Sequence, residues 1–206
     1  MVITAIEPRR KSFSAIFIDG EYALKLDTET VLLAKLKAGT EIDDERLHEL
    51  IKASDARRAK EKALWLISYR DHSVGELRQK LSKDYGEEAV DAAINKLFEL
   101  RLLNDESFAK KYAESLSHKH MSSRQIQQKL RQKGLDRDLV GETVEDLNLD
   151  EKEEIRALIN KKYLRKLSDE GDLRRTVAAL QRRGFAYGDI KSVIREFTEL
   201  EEFNYE

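Results

Sequence analysis

The sequence predicts a mainly α-helical protein: an elongated, curved array of three tandem three-helix repeats, with a small N-terminal β-hairpin/α extension. Leu81, Leu130 and Leu180 lie 49 and 50 residues apart, and each is followed by a similar apolar pattern. One proline and nine glycines among 206 residues favour long helices with short connections. A repeat of this length is typical of stacked supersecondary units, so a long surface is expected rather than a pocket.

The first 54 residues are predicted to form a separate N-terminal domain, 1–54, that contains the hairpin. Two alternating runs, 12–18 and 21–26, flank Asp19-Gly20, and an Asp-Gly pair in that setting is the strongest short-range hairpin signal. Residues 2–6 are a candidate third strand. Two short helices are expected to follow: one that Thr28 caps, to about residue 37, and one that Asp43 caps, over 44–53.

The rest of the chain divides into three repeats of three helices, predicted at 55–103, 104–149 and 150–206. Ser73 and Ser122 precede the second helix of the first two repeats. Each is followed three residues later by Glu or Gln, which is the pattern of a capping box. The third repeat lacks this serine, so Asp172 is the expected substitute, after a flexible loop at 168–171. The predicted helices are 55–70, 74–83 and 87–100, then 105–117, 124–132 and 137–147, then 150–167, 173–183 and 187–203.

Basic residues concentrate on the second helix of each repeat, although the whole chain is nearly neutral, with 38 basic and 40 acidic residues. Acidic stretches at 142–154 and 196–206 lie between and after them. Such a basic edge suits DNA phosphate or an acidic protein groove, whereas the plainer interpretation is a set of solvated helix faces. The candidate binding residues are Arg78 and Lys80 in the first repeat, Arg124, Lys129, Arg131 and Lys133 in the second, and Arg174, Arg175, Arg182 and Arg183 in the third.

The sequence offers no catalytic, cofactor or metal site, and we predict a protein that is not an enzyme. It has no cysteine, its glycines are isolated rather than gathered in a phosphate loop, and no pair of carboxylates stands out. His118 and His120 are two residues apart, a spacing that on a helix points them away from one another, so metal binding is not expected. Trp65 and Tyr69 share one side of a helix and are expected to pack in the core or between repeats.

No membrane segment is predicted, because no apolar run approaches ~18–20 residues. The lack of cysteine favours a reducing compartment, so a cytoplasmic monomer is expected. The helix, glycine turn and second helix of each repeat also invite interpretation as a helix-turn-helix DNA reader. However, the third helix of the second repeat carries Asp138, Glu142 and Glu145, which phosphate would repel, and this argues against insertion into the major groove.

Several segments resemble motifs of the RecX family, bacterial regulators of the RecA recombinase, and they occur in the family's order along essentially the whole chain. The segments are Arg70-Asp71-His72-Ser73 with Glu76-Leu77-Arg78-Gln79-Lys80-Leu81, Leu102-Leu103-Asn104-Asp105-Glu106-Ser107-Phe108-Ala109, Arg124-Gln125-Ile126-Gln127-Gln128-Lys129-Leu130 with Gln132-Lys133-Gly134-Leu135, Arg182-Arg183-Gly184-Phe185, and the hairpin Phe17-Ile18-Asp19-Gly20-Glu21-Tyr22. The chain departs from the family pattern in the shortened turn at 84–86 and in the loop at 118–121.

The resemblance implies a helical repeat protein that binds the RecA–single-stranded DNA filament. It also implies inhibition of recombinase, ATPase and coprotease activities, by blocking filament growth or by promoting disassembly. No catalytic residue or cofactor carries over. Two other interpretations stay open: a direct binder of single- or double-stranded DNA whose effect on recombination is secondary, and a purely structural helical adaptor.

Overall fold

The computed structural model describes residues 1–203, so the last three residues of the predicted acidic stretch 196–206 lie outside the described residues. The chain forms two compact units, Met1–Asn104 and Asp105–Glu206. Helices dominate both units, as the sequence predicts. Within the described residues, no helix is both long enough and apolar enough to cross a membrane.

The first unit begins with an antiparallel sheet of strand order β1-β2-β3. Its strands are β1 (Ile3–Arg9), β2 (Phe13–Ile18) and β3 (Glu21–Asp27), so the predicted hairpin and the third strand are confirmed. Asp19 and Gly20 turn the chain with φ angles of 50° and 90°, the positive values that a type I′ hairpin turn requires. Ile16 and Leu26 are buried in the core that this sheet shares with the following helices.

Two helices follow the sheet, α1 (Thr28–Leu33) and α2 (Asp44–Tyr69). The predicted cap of α1 is wrong by one residue, because the carboxylate of Asp27 accepts hydrogen bonds from the backbone N–H groups of Glu29 and Thr30. α1 also ends earlier than expected. Lys35 has a φ of 52°, in the left-handed region that a right-handed helix cannot pass through.

α2 is one continuous helix of 26 residues, so the prediction of two helices separated near residue 54 is wrong. Neither Gly nor Pro interrupts residues 44–69. Ser54 is buried, and its hydroxyl accepts a hydrogen bond from the N–H of Asp27 at 2.8 Å. Leu50 packs under the sheet, whereas Ala59 and Ala63 pack into the first three-helix bundle. One helix therefore serves two cores.

The first bundle is completed by α3 (Val74–Leu81) and α4 (Glu87–Glu99). Ser73 caps α3 as predicted, because its hydroxyl accepts a hydrogen bond from the N–H of Glu76 at 3.1 Å. The apolar positions that define the repeat form the core here: Leu81, Val90, Ile94 and Leu97 are all buried together with Leu77.

The second unit consists of two further bundles. Its helices are α5 (Asp105–Ser117), α6 (Ser123–Gln132), α7 (Arg137–Asp146), α8 (Glu151–Leu158), α9 (Glu170–Arg182) and α10 (Tyr187–Phe203). Helices α5–α7 enclose a core around Leu130, and α8–α10 enclose another around Leu180. Ser122 and Asp136 cap α6 and α7, as predicted. The leucine anchors of the repeat are therefore equivalent core positions.

The first helix of the third bundle is shorter than predicted. α8 ends at Leu158, and a π-helical turn, Ile159–Tyr163, and a 3₁₀ turn, Leu164–Lys166, replace the expected helix to residue 167. This stretch places Lys161 and Arg165 four residues apart. Like charges at that spacing disfavour a regular α-helix, which accounts for part of the irregularity.

The start of α9 also differs from the prediction. Asp169, not Asp172, is its cap, because the Asp169 carboxylate accepts a hydrogen bond from the N–H of Asp172 at 2.8 Å. Glu170 and Gly171 therefore form the first turn of the helix, where a flexible loop was expected.

Candidate functional site

The basic residues of α6 lie on the side of the helix that faces away from its core. Ile126 and Leu130 are fully buried and orient the helix. Spacings of four and three residues place Arg124, Gln128 and Arg131 on one exposed stripe. We call this the α6 stripe. Lys129 and Lys133 flank it and are half-buried.

The cations of the α6 stripe are not neutralised locally. Within the described part of the chain, neither Arg124 nor Arg131 forms an ion pair with a carboxylate, and neither does Lys129. The ammonium of Lys133 lies 5.3 Å from the ring centroid of Tyr112, a cation–π distance. The charge of the stripe is therefore available to an external anion.

The N-terminus of α6 is bonded to the turn that follows α9. The hydroxyl of Ser122 donates to the carbonyl of Arg183 at 2.8 Å, and the amide of Gln125 donates to the carbonyl of Arg182 at 3.1 Å. The guanidinium of Arg183 donates to the carbonyl of Lys119 at 3.1 Å. These bonds join the backbone carbonyls of Arg182 and Arg183 to the N-terminus of α6, and the side chain of Arg183 to the backbone of Lys119. We call these three residues, with Arg124 in the first turn of α6, the junction cluster.

The junction requires glycine at position 184. Gly184 has a φ of 88°, and a Cβ there would lie 2.4 Å from the hydroxyl oxygen of Ser122 and 3.3 Å from the Cβ of Gln125. The sequence indicated only that a turn contains this glycine. The close approach of a second bundle depends on tertiary packing, which the repeat pattern does not encode.

Two acidic residues strengthen the same contact between bundles. A carboxylate oxygen of Glu151 accepts a hydrogen bond from the N–H of Ser123 at 2.7 Å. Nδ1 of His120 lies 2.7 Å from a carboxylate oxygen of Glu154. Part of the acidic stretch 142–154 thus joins the second and third bundles.

Other predicted binding residues meet acidic neighbours. Arg174 pairs with Glu170 at 2.5 Å and Arg175 pairs with Asp172 at 2.8 Å, both within α9. In the first unit, Arg78 of α3 pairs with Asp91 at 2.5 Å. Lys80 is half-buried on the same helix. The structure thus bonds the turn that contains Arg182 and Arg183 to the start of α6, the helix that carries Arg124. The N-terminal end of α9, by contrast, is locally neutral.

The expectation that Trp65 and Tyr69 pack in the core or between repeats is wrong. Trp65 is 58% exposed and Tyr69 is 79% exposed, and their rings stack edge to face with centroids 5.2 Å apart. Ala59 and Ala63 form the inward face of α2 instead. The aromatic pair therefore lies on the surface of the first unit.

The first unit also contains a groove, which lies outside the predicted binding residues. This groove of about 500 Å³ between α2 and α4 is floored by alanines, including Ala53 and Ala89, and contains the Lys52–Glu88 ion pair at 2.8 Å. Across the residues that the structure describes, no group of three or more His, Cys, Asp or Glu side chains is placed to hold a metal ion.

Tandem three-helix bundles define this chain as a helical repeat protein. Three family models match it in order: RecX first three-helix domain at residues 59–97, second at 104–144 and third at 150–194. The chain belongs to the RecX family. The matched ranges do not test the domain bounds that we predicted from the sequence, so those bounds remain a prediction.

Curated relatives agree with this assignment. A regulatory protein RecX of Caldanaerobacter subterraneus is 34% identical over 79% of this chain and 84% of the relative, and one of Clostridioides difficile is 29% identical over 98% and 99%. A crystal structure of RecX from Lactobacillus salivarius has a TM-score of 0.59 at 27% identity, covering 71% of this chain and 98% of that one. The relatives' names support a regulatory role for this chain.

Proposed function

We propose that this chain is a non-enzymatic inhibitor of the RecA recombinase that binds the RecA–single-stranded DNA filament and lowers its ATPase, strand-exchange and coprotease activities. The observation that carries the proposal is the α6 stripe, whose cations lack carboxylate partners among the described residues. Family membership supports the choice of partner. We further propose that the chain acts as a cytoplasmic monomer without a cofactor.

Tandem domains suit a filament, because a filament presents the same surface repeatedly. Binding of one bundle raises the effective concentration of the next, so several weak contacts give a tight complex. A single exposed ion pair contributes only about 0–1 kcal/mol. A test must therefore change several cations together.

The test is the combined reversal Arg124→Glu, Lys129→Glu, Arg131→Glu and Lys133→Glu. We expect this variant to lose inhibition of recombinase ATPase and strand exchange, because repulsion replaces attraction along α6. The matched control reverses Arg10, Lys11, Lys35 and Lys37, which are exposed in the first unit. Circular dichroism shows whether the α6 variant is folded. If it is folded and inhibits recombinase ATPase and strand exchange as strongly as the control, the proposal fails.

A second candidate is direct DNA binding with a secondary effect on recombination, and the cations of the α6 stripe favour it equally. Binding through several phosphates weakens steeply with salt whether or not recombinase is present. Titration of labelled oligonucleotide in the absence of recombinase separates the two. If inhibition parallels affinity for naked DNA in every variant, the second candidate replaces the first.

A further inference from the structure

We propose that the basic turn, residues 161–166, binds the phosphate backbone of nucleic acid. Its four cations are Lys161, Lys162, Arg165 and Lys166, and no acidic residue lies among them. The turn is in the third bundle, outside the second helices, and no charge pattern of the repeat pointed to it. The inference adds a contact site to the proposed function. It rests on that function in one respect: the proposed partner is a filament that contains DNA.

The basic turn is held in place at both ends. Ile159 is fully buried and Leu167 is 5% exposed, and both belong to the core of the third bundle. Between them, Tyr163 packs partly against the same core. These apolar residues are spaced by four, so they occupy the inward side and leave the cations on the outward side, where all four are exposed. The charges therefore project from an anchored π-helical and 3₁₀ segment.

The charges of the basic turn are not compensated. None of its four cations pairs with a carboxylate in the portion of the chain that the structure describes. On the preceding helix, by contrast, Arg156 pairs with Glu196 at 2.7 Å and with Glu153 at 3.0 Å. Four like charges within six residues repel one another, and a bound anion relieves that repulsion.

Composition identifies the anion as phosphate rather than an acidic protein surface. Protein interfaces are enriched in aromatic residues and arginine and depleted in lysine. The basic turn has three lysines and one arginine, and its exposed apolar side chain is Leu164, at 43% exposure. Flexible point charges of this kind suit a phosphate backbone, whose successive charges they can follow without a shaped pocket.

The test replaces all four cations: Lys161→Gln, Lys162→Gln, Arg165→Gln and Lys166→Gln. Binding to fluorescein-labelled single-stranded and duplex oligonucleotides is measured by anisotropy without recombinase, as a function of salt. Each lost phosphate contact lowers the slope of log affinity against log salt by about 0.7 for single strands or about 0.9 for duplex. If all four contacts are lost, wild-type affinity falls about 50-fold more than the variant's on single strands, and about 150-fold more on duplex, between about 50 and 200 mM salt.

Two controls make the outcome decisive. The neutralisation of Arg10, Lys11, Lys35 and Lys37 to Gln removes equal charge elsewhere and is expected to keep the wild-type slope. The variant with Lys161→Arg, Lys162→Arg and Lys166→Arg retains the charge of the basic turn and should also keep the wild-type slope.

A glutamine variant with the control's affinity and slope on both oligonucleotides overturns the inference. So does a variant that binds DNA normally but loses binding to DNA-free recombinase, which would identify an acidic protein partner. Neither result depends on whether the chain inhibits recombinase.

Discussion

Arg124 and Arg174 are both exposed on second helices, yet only Arg174 meets a carboxylate among the described residues, that of Glu170 at 2.5 Å. The sequence could predict that both are on the surface, because apolar spacing determines which side of a helix is buried. It could not predict which arginine is paired, since Glu170 lies in a turn of α9 that we expected to be a loop. A carboxylate one turn away thus distinguishes the locally paired Arg174 from Arg124.

His72 is a buried residue whose protonation should make stability depend on pH. It is 6% exposed beside the cap of α3, and its Nδ1 lies 2.9 Å from the carbonyl of Arg70. Burial is the largest cause that lowers the pKa of His72, and the nearby charge of Arg70 lowers it further, while the contact with the Arg70 carbonyl opposes both. The unfolded chain therefore binds this proton more readily than the folded protein.

We expect the free energy of unfolding to fall as pH decreases from about 6.5, the unfolded pKa, through the lower folded pKa. His72→Asn should reduce this slope, measured by urea denaturation across that range. His118→Asn, the same change at an exposed histidine, serves as the control and should retain it. An unchanged slope in His72→Asn would show that burial does not disfavour the charged imidazole.

At the scale of elements, the caps and apolar spacing were sufficient to predict most helices. Ser73, Ser122 and Asp136 act locally, so their roles can be inferred from neighbouring residues alone. The continuity of α2 could not be predicted, because it depends on Ser54 bonding to β3 and on two cores sharing one helix. The junction between α6 and α9 likewise joins residues about sixty positions apart, such as Ser122 and Arg183.

Gly184→Ala is expected to destabilise the second unit by more than backbone strain alone. A non-glycine residue in the left-handed region costs about 1–2 kcal/mol. The new Cβ would in addition lie 2.4 Å from the Ser122 hydroxyl oxygen. Either that hydroxyl rotates and loses its bonds to Arg183 and Gln125, or α9 and α6 move apart. We expect a total loss of about 2–4 kcal/mol by denaturant unfolding, together with weaker inhibition.

Gly39→Ala is the matched control, because Gly39 has a φ of 87° and a Cβ added there would meet no atom within 4 Å. It should show the strain without the clash. In a Ser122→Ala background the extra cost of Gly184→Ala should shrink, since the clashing oxygen is gone. Equal costs for Gly184→Ala and Gly39→Ala would argue against a tight junction.

At the scale of the molecule, each compact unit contains two hydrophobic cores. In the second unit, side-chain and backbone hydrogen bonds join the two bundles. In the first, α2 runs through both cores, and the guanidinium of Arg57 on that helix lies 3.0 Å from the buried carboxylate of Asp27 in β3. The repeat pattern revealed the bundles but not these connections, because connections involve residues that differ from copy to copy.

A continuous α2 predicts that the sheet and the first bundle unfold together. Asp55 is exposed on α2 between the two cores, so Asp55→Pro breaks the helix without removing a buried side chain. The ring clashes with the preceding turn and removes one hydrogen bond, at a cost of about 3 kcal/mol. Amide hydrogen exchange should then show equal losses of protection in β2 and α4, because both depend on the same helix. Asp55→Ala keeps the helix and should leave amide protection in β2 and α4 unchanged. If Asp55→Pro lowers protection in only one of these two elements, the two cores unfold independently.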